Sequence, residues 1–415
     1  MRLAELFMRA IGDSELSEVH AYDGSHAGTD GAPVRFEVRS PYAVSYLASA
    51  PGELGLTRAY ITGHLDIAGD LHGALTRMHT LRVSDLSPAL RARMMVRLLA
   101  TRLRWPVKRP ALEARLRGRK HSPERDQAAI AHHYDVSNRF YEWILGPSMT
   151  YTCAVYPRED ATLEEAQYTK HDLVARKLGL SSGMRLLDVG CGWGGMVMHA
   201  AKEYGVRALG VTLSRKQAEW AQKAIAQRGL GDLAEVHHLD YRDVAESGFD
   251  AISSIGLTEH IGKSQLPSYF QSLYEKLRPG GRLLNHCITR ADNSRPSSVK
   301  GFFDRYIFPD GELLSPGFIM STMHDTGFEL RHDENVREHY AKTLTAWADN
   351  LDAHWDDAVS EVGEQRARTW RLYLVASRIG FETNNIQLHQ SLGVKLDGAR
   401  SGMARSGMPL RPDWD

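Results

Sequence analysis

The stretch that most constrains the fold is Met184–Gly195, an apolar run that breaks abruptly into glycines. A helical pattern follows over residues 196–204, so the stretch predicts a strand, a tight turn and a helix N-terminus. Glycines there carry no Cβ, which lets a ligand approach the backbone, and the free N–H groups of a helix start favour electron-rich partners. Gly190, Gly192 and Gly195 also satisfy the G-x-G-x-x-G pattern of dinucleotide-binding proteins. The stretch alone therefore leaves the ligand open.

Downstream of this turn, strand-like and helix-like segments alternate. The predicted segments are Arg207–Thr212, Ser214–Arg228, Glu235–Asp240, Asp250–Gly256, Leu266–Leu277 and Arg282–Ile288. This alternation predicts an α/β, Rossmann-like fold with a doubly wound, mostly parallel sheet, in which the ligand crevice lies at the C-terminal ends of the strands. Polar side chains stand at or just past those predicted ends: Asp188, Thr212, Asp240, Glu259 and His286.

The chain divides into three predicted parts. Residues 1–90 predict a small N-terminal α+β accessory domain, residues 91–122 a basic helical linker, and residues 123–415 the domain that carries the glycine turn. Within the first part, β-like pieces are Val34–Val38 and Leu56–Ile61, and helical pieces lie near Pro41–Ala50 and Gly73–Thr80.

The bulk properties are those of an ordinary globular protein. A length of 415 residues with 42% apolar residues is ample for two domains. Three cysteines, Cys153, Cys191 and Cys287, cannot form a disulfide framework, and neither a signal-peptide pattern nor a long apolar run is present. We therefore expect a cytoplasmic protein. Lys plus Arg equals Asp plus Glu at 51 each, so any attraction to an acidic surface must come from local clustering.

Such a cluster lies in residues 91–120, where eleven Arg and Lys residues face a single acid, Glu113. Apolar residues, Trp105 among them, are interleaved with the cations. A basic amphipathic segment of this kind suits the anionic surface of a membrane and predicts peripheral association. A solvated helix and linker would show the same pattern. Nucleic acid fits poorly, because no aromatic stacking platform or groove-reading motif accompanies the charge.

The residues around the glycine turn narrow the choice of ligand. A dehydrogenase would place an acid on the ribose about 20 residues beyond the glycines, whereas Gly210–Gln217 contains none. Asp188 directly before the glycines and Asp240–Arg242 after the third strand are instead typical of S-adenosylmethionine-dependent methyltransferases. Ser214 and Gln217 could touch the ligand or simply form an S-x-x-Q capping box. The histidine pair at 132 and 133 lacks any zinc-ligand spacing, so no metal is predicted.

Nine blocks in one order, between about residue 125 and residue 392, resemble the cyclopropane-fatty-acyl-phospholipid synthase family, which includes the mycolic acid cyclopropane synthases. The blocks are His133–Asn138, Met149–Ala154, Leu187–Gly195, Gly210–Ser214, Asp240–Asp243, Glu259–Gly262, Arg305–Gly311, His339–Tyr340 and Ile386–Gln390. The N-terminal region is similar in kind to the accessory domain of the phospholipid-acting members.

This resemblance implies a class I methyltransferase fold and methyl transfer from S-adenosylmethionine to the cis double bond of an unsaturated phospholipid in a bilayer, with formation of a cyclopropane ring. The residues it assigns to the cofactor are Tyr151, Thr152, Asp188, Gly190, Cys191, Gly192, Trp193, Gly194, Thr212, Ser214, Gln217, Asp240, Tyr241 and Arg242. The residues it assigns to a catalytic bicarbonate ion are Cys153, Glu259, His286, the backbone of Ile288, and Tyr340. Two-domain relatives tend to be dimers, which implies a possible homodimer.

Glu259 needs a special explanation, because a carboxylate beside an anion is repulsive unless one partner is protonated. We predict that bicarbonate donates a hydrogen bond to Glu259 and that His286 donates one to bicarbonate.

The sequence also departs from the family pattern. Thr258 stands where an aromatic residue is usual, Phe381–Asn385 replaces an Arg-rich segment, and Ser377 replaces a cysteine, which removes any case for a covalent cysteine nucleophile. These changes leave open a methylene-branched product in place of the ring. Two other functions are an inactive protein that binds a lipid surface and a methyltransferase acting on N or O of a small molecule; the second would need neither a bicarbonate pocket nor a basic helix.

Overall fold

The computed structural model describes residues 2–11, 15–80, 87–114, 125, 137–294, 298, 300–398 and 405–414. They fall into two units, neither of which is one continuous stretch of chain. The first unit comprises Met1–Arg115, Lys300–Ile307 and His354–Ile379, and the second comprises Leu116–Val299, Phe308–Ala353 and Gly380–Asp415. The predicted division at residues 90 and 122 concerns separately folding domains and stays a prediction.

The first unit is built on a four-stranded sheet with helices, in the order β2-β1-β3-β4. Its strands are β1 (Ser17–Ala21), β2 (His26–Gly28), β3 (Val34–Val38) and β4 (Leu65–Gly69). Its N-terminal helices are α1 (Leu3–Ile11), α2 (Pro41–Ser49), α3 (Glu53–Ile61), α4 (Leu71–Thr80) and α5 (Pro88–Arg104). Strand β3 alternates as predicted, since Val34, Phe36 and Val38 are buried while Arg35 is exposed. The same unit holds helix Trp355–Val362 and most of helix Glu364–Glu382.

The predicted β-like piece at Leu56–Ile61 is wrong, because these residues belong to helix α3. Six residues are too few for the apolar period to separate a strand from a helix, and packing decides instead. A Cβ at Gly55 would lie 2.8 Å from the Tyr46 carbonyl oxygen and 2.3 Å from that of Ala50. Glycine at this position therefore lets α3 approach the end of α2 closely. The helices predicted near Pro41–Ala50 and Gly73–Thr80 are confirmed as α2 and α4.

The second unit contains a seven-stranded sheet in the order β10-β11-β9-β8-β5-β6-β7. Its strands are β5 (Arg185–Val189), β6 (Arg207–Thr212), β7 (Ala234–His238), β8 (Phe249–Ile255), β9 (Leu277–Arg290), β10 (Glu329–Asn335) and β11 (Ile386–Val394). Strands β7, β6, β5, β8 and β9 are parallel to one another. Strand β11 is antiparallel to both β9 and β10, so β10 runs in the same direction as the first five strands. The predicted doubly wound, mostly parallel sheet is confirmed.

Helices cover both faces of this sheet. They are α6 (Asn138–Leu145), α7 (Leu163–Leu178), α8 (Gly195–Tyr204), α9 (Arg215–Gln227), α10 (Thr258–Ile261), α11 (Leu266–Lys276), α12 (Pro316–Thr326) and α13 (Arg337–Ala353). One apolar cluster joins α7, α8 and α9 to the sheet, and a second joins α11 and α12. A capping box opens α7, since Thr162 Oγ1 accepts from the Glu165 backbone N–H while Glu165 accepts from that of Thr162.

Strand β5 lies between β6 and β8. The next strands in the chain, β6 and β7, therefore lie on one side of β5, and β8 and β9 lie on the other. This is the switch point at which doubly wound sheets bind ligands, beyond the C-terminal ends of the strands. Within the described ranges, no helix is long and apolar enough to cross a bilayer.

Candidate active site

The glycine turn has the geometry that the sequence predicts. Strand β5 ends at Val189, and the backbone N–H groups of Gly190 and Cys191 both donate to the Val211 carbonyl oxygen at 3.0 Å. Gly192 has φ of 54°, a conformation that L-residues rarely adopt, and a Cβ there would meet no described atom within 4 Å. The turn therefore opens onto free space at the start of α8, where an approaching ligand would meet backbone N–H groups.

That space is a cavity of about 230 Å³ at the ends of β5, β6 and β8. Eleven of the residues predicted to bind the cofactor line it: Tyr151, Thr152, Asp188, Gly190, Cys191, Gly192, Trp193, Thr212, Gln217, Tyr241 and Arg242. Three others do not. Gly194 is the N-cap of α8, Ser214 is the N-cap of α9, and the Asp240 carboxylate accepts hydrogen bonds from Arg242 N at 2.9 Å and Nε at 2.8 Å.

The predicted S-x-x-Q capping box forms only in part. Ser214 Oγ accepts from the Gln217 backbone N–H at 3.4 Å, which caps the helix. The Gln217 side chain does not return to Ser214; its Oε1 accepts from Thr212 Oγ1 at 2.8 Å. This hydrogen bond joins Thr212 and Gln217 on the cavity wall. Of the two capping-box residues, Gln217 therefore lines the cavity, whereas Ser214 only caps the helix.

Two buried residues of the cavity wall, Lys170 and His171, escaped prediction. Lys170 Nζ lies 3.0 Å from Thr152 Oγ1 and 3.0 Å from His171 Nε2, and the residue is 1% exposed. Among the described residues no carboxylate lies within 4.0 Å of it, and burial lowers the pKa of Lys170 to about 7. Burial also raises the pKa of Asp188, a hydrogen-bond acceptor from Ser253, to about 7.

None of the residues predicted to hold bicarbonate lines this cavity. Glu259 Oε1 accepts a hydrogen bond from the Ile288 backbone N–H at 2.6 Å, and burial raises the pKa of the Glu259 carboxyl to about 7. The other oxygen, Glu259 Oε2, and the ring nitrogen His286 Nε2 are buried and have no hydrogen-bond partner among the described residues. Each of these orphaned buried polar atoms calls for a ligand or a specific explanation.

Cys153 and Tyr340 are also buried. The Cys153 thiol donates to the carbonyl oxygens of Ala154 at 3.1 Å and Val336 at 3.8 Å, and burial raises its pKa, so it stays protonated. Tyr340 packs its ring against Phe381, with ring centroids 4.5 Å apart. The structure thus joins Glu259 to Ile288 directly and places Cys153 and Tyr340 in buried positions, each with its own partners.

A series of aromatic contacts connects two residues of the cavity wall to Tyr340. The rings follow one another in the order Trp193, Tyr141, Tyr151, Trp347, Tyr340 and Phe381, with centroid separations between 4.5 and 6.0 Å. Trp193 and Tyr151 line the cavity, whereas Tyr340 is one of the residues predicted to hold bicarbonate. The series is therefore a packed run of rings between the cavity wall and Tyr340.

Two sequence predictions lie outside the described residues. The histidine pair at 132 and 133, with most of the block 133–138, is one; the basic residues at 115, 117, 119 and 120 are the other.

The sheet order with its single reversed strand β11, the glycine turn after β5 and the cavity at the switch point define a class I S-adenosylmethionine-dependent methyltransferase. A family model described as mycolic acid cyclopropane synthetase matches residues 121–391. The chain belongs to this family.

Relatives in the family are similar over most of the chain. A probable fatty acid methyltransferase of Mycobacterium tuberculosis is 54% identical over 404 residues, which cover 95% of this chain and 93% of the relative. A probable fatty acid methyltransferase of Pseudomonas putida is 38% identical, with 90% of each chain covered.

Among solved structures, the cyclopropane synthase MmaA2 from Mycobacterium tuberculosis aligns with a TM-score of 0.62 and 34% identity, covering 65% of this chain and 98% of its own. The mycolic acid cyclopropane synthase CmaA1, complexed with SAH and CTAB, aligns with a TM-score of 0.61 and 33% identity, covering 65% of this chain and 98% of its own.

Proposed function

We propose that this chain transfers the methyl group of S-adenosylmethionine to the cis double bond of an unsaturated phospholipid acyl chain and forms a cyclopropane ring, with bicarbonate bound beside Glu259. The observation that carries the proposal is the pair of orphaned buried atoms, Glu259 Oε2 and His286 Nε2. Relatives named as fatty acid methyltransferases and cyclopropane synthases support the substrate class.

The cavity fits S-adenosylmethionine on its chemistry. The empty position beside Gly192, where a Cβ would project into open space, admits a ligand against the backbone. Thr212, Gln217, Tyr241 and Arg242 supply polar and aromatic groups to the cavity wall. When bound, the cofactor supplies an electrophilic methyl group on a sulfonium. The chain's own task is to align that methyl with the double bond, since an alkene is too weak a nucleophile to react without close positioning.

The unpartnered atoms of Glu259 and His286 fit bicarbonate on their chemistry. Ile288 N–H occupies Glu259 Oε1, which leaves Oε2 to meet a hydrogen-bond donor on the ligand. His286 stays neutral, because burial holds its pKa well below the usual value, and its Nε2 faces no described partner. When bound there, bicarbonate supplies a base for the proton that the added methyl group must lose. Glu259, His286 and the buried aromatic rings hold that base in place and keep water away.

Helix α5 supports the proposed membrane partner. Met95, Leu99 and Leu103 recur every fourth residue and are 53%, 49% and 85% exposed, so they form one apolar stripe on the outer face of the helix. Arg91 and Arg93 are exposed at its N-terminal half. A stripe of this kind flanked by cations suits insertion at the level of anionic headgroups.

The single acid of the basic stretch pairs with Arg109, whose Nε lies 3.0 Å from Glu113 Oε2, and leaves the exposed Arg91 and Arg93 of α5 as cations. Glu113 is 2% exposed and accepts hydrogen bonds from Arg58 Nε at 2.6 Å and from the Tyr306 hydroxyl at 3.1 Å. The exposed charge on this stretch is therefore positive. Peripheral membrane association, a cytoplasmic location and a homodimer belong to the proposal.

A methylene-branched acyl chain is the second candidate product. Two relatives that cover nine tenths or more of this chain are named as fatty acid methyltransferases and not as cyclopropane synthases. Both products require methyl transfer to the same double bond and differ in how the resulting cation collapses. Thr258, the residue before Glu259, stands where the family usually has an aromatic residue. Its Oγ1 donates to Asn285 Oδ1 at 2.6 Å.

The test is to incubate the purified chain with S-adenosylmethionine, bicarbonate and vesicles of oleoyl phosphatidylglycerol, and to analyse the released acyl chains by mass spectrometry. We expect an acyl chain heavier by one CH₂, formed more slowly when bicarbonate is depleted and at the original rate when it is added back. Mild hydrogenation separates the two products, because a methylene branch takes up hydrogen and a ring does not. An unchanged acyl pool would contradict the proposal.

A further inference from the structure

Three buried side chains form a hydrogen-bonded chain that ends at His286. Lys177 Nζ donates to Gln390 Oε1 at 2.8 Å, and Gln390 Nε2 lies 3.1 Å from His286 Nδ1. The three residues are 0%, 0% and 1% exposed. Gln390 ends the block Ile386–Gln390 of the family resemblance, which assigns it no role. Lys177 lies in none of the nine blocks.

Strand register explains why these groups meet. Gln390 on β11 pairs with His286 on β9 and with Glu334 on β10, so the three residues stand side by side on one face of the sheet. Lys177 reaches this row from α7 and also binds the Glu334 carboxylate. The buried ammonium is thereby neutralised by Glu334 and aimed at the Gln390 amide.

The direction of each hydrogen bond follows from chemistry. An ammonium group can only donate, so the Gln390 atom that faces Lys177 must be the amide oxygen. The amide NH₂ then faces His286 Nδ1 and donates to it. A neutral imidazole that accepts at Nδ1 must carry its hydrogen on Nε2.

We propose that Gln390, oriented by Lys177, fixes His286 as the Nε2–H tautomer and thereby presents a hydrogen-bond donor to the bound oxoanion. Gln390 and Lys177 are positioning residues, because neither lines the cavity and each acts through the side chain next to it. The tautomer follows from the contacts alone, whereas its use in turnover rests on the proposed function. Lys170 lies two turns before Lys177 on α7, and these two cations with burial favour the neutral ring that the tautomer requires.

The test uses the full chain labelled with ¹⁵N-histidine, with His286 assigned from the spectrum of His286→Asn. Long-range ¹H–¹⁵N spectra distinguish the two neutral tautomers and the imidazolium. We expect wild-type His286 to be neutral with its hydrogen on Nε2. In Gln390→Glu the carboxylate accepts from both neighbours, so the ring should carry a hydrogen on Nδ1. We then expect kcat to fall about 100-fold, as for loss of a correctly protonated catalytic partner, with KM for S-adenosylmethionine nearly unchanged.

Gln387→Glu makes the same chemical change three residues earlier on β11 and should alter neither the His286 spectrum nor kcat. Should Gln390→Glu fail to fold, Lys177→Met combined with Glu334→Gln removes the orienting cation without leaving a buried charge, and the His286 signals should then report both tautomers. A wild-type ring with its hydrogen on Nδ1 overturns the proposal, as does a switched tautomer with full kcat. If the tautomer is Nε2–H and the wild-type chain modifies no lipid, the inference about the ring stands and the proposed function fails.

Discussion

Glu259 accepts a hydrogen bond from the Ile288 backbone N–H through Oε1, and its second carboxyl oxygen is buried without a described partner. The pair joins α10 to β9 and gives the carboxyl one satisfied and one open side. Such an arrangement costs stability unless a ligand completes it, which is the usual mark of a functional position.

Replacement of Glu259 by Gln keeps the size of the side chain but turns one carboxyl oxygen into an amide NH₂. We expect most turnover to be lost, with the affinity for S-adenosylmethionine nearly intact, because Glu259 lies outside the cofactor cavity. Steady-state kinetics and calorimetric titration of the cofactor measure the two effects. Glu275→Gln, an exposed change on α11, is the matched control. Equal loss of turnover and of cofactor affinity would argue against this role.

The same carboxyl makes a prediction about stability and pH. Its pKa is raised from 4.5 to about 7 by burial, so the folded state binds the proton more tightly than the unfolded state does. The stability from this group is present below pH 4.5 and is lost as pH rises to about 7. Glu259→Gln removes this loss, so its free energy of unfolding relative to wild type should rise by about 3 kcal/mol over that range. Urea unfolding at several pH values measures it; a constant difference would contradict a buried, raised carboxyl.

How much the sequence predicts depends on how local the cause is. Strand β6 was predicted residue for residue, because a short apolar run between turn residues is a short-range pattern. The segment 56–61 was misjudged, because the close approach of α3 to α2 at Gly55 is a tertiary effect.

The sequence indicates which residue types the candidate site contains better than it indicates which side chains contact one another. Lys170 and Lys177 lie on the buried face of α7 with Ala166, Leu173 and Val174, so the helical period could have shown two lysines where apolar residues are expected. Their partners could not have been found in this way. The link from Lys177 to His286 depends on β10 and β11 joining the sheet in one particular register, which no local pattern specifies.

Lys170 should influence cofactor binding through Thr152. Because its ammonium uses Thr152 Oγ1 as an acceptor, the hydroxyl hydrogen is left to point toward the cavity. We expect Lys170→Met to weaken binding of S-adenosylhomocysteine about 10-fold, as for loss of a hydrogen bond linked to a charge. Calorimetric titration measures the affinity, and Lys223→Met on the exposed face of α9 is the control. Unchanged affinity in Lys170→Met would remove this role.

The outer stripe of α5 should govern membrane binding. Leu103 is 85% exposed, so Leu103→Asp should leave the unfolding midpoint unchanged while reducing co-sedimentation with anionic vesicles several-fold. Leu410→Asp, a change of the same kind at a fully exposed leucine near the C-terminus, should have no effect on sedimentation.

Salt provides a second check on the same surface. Because Arg91 and Arg93 are exposed, binding and activity on anionic vesicles should fall as ionic strength rises, and neutral vesicles should bind weakly throughout. Equal activity on neutral and anionic vesicles at every salt concentration would contradict an electrostatic contribution from α5.

The central claim is that a methyl group added to an acyl double bond afterwards loses one of its own hydrogens. S-adenosylmethionine carrying a trideuteriomethyl group tests this directly, with mass spectrometry of the acyl chains recovered from oleoyl phospholipid vesicles. We predict an added carbon that retains two of the three deuterium atoms. Retention of all three, or deuterium found only on a nitrogen or oxygen atom outside the acyl chain, would contradict the claim.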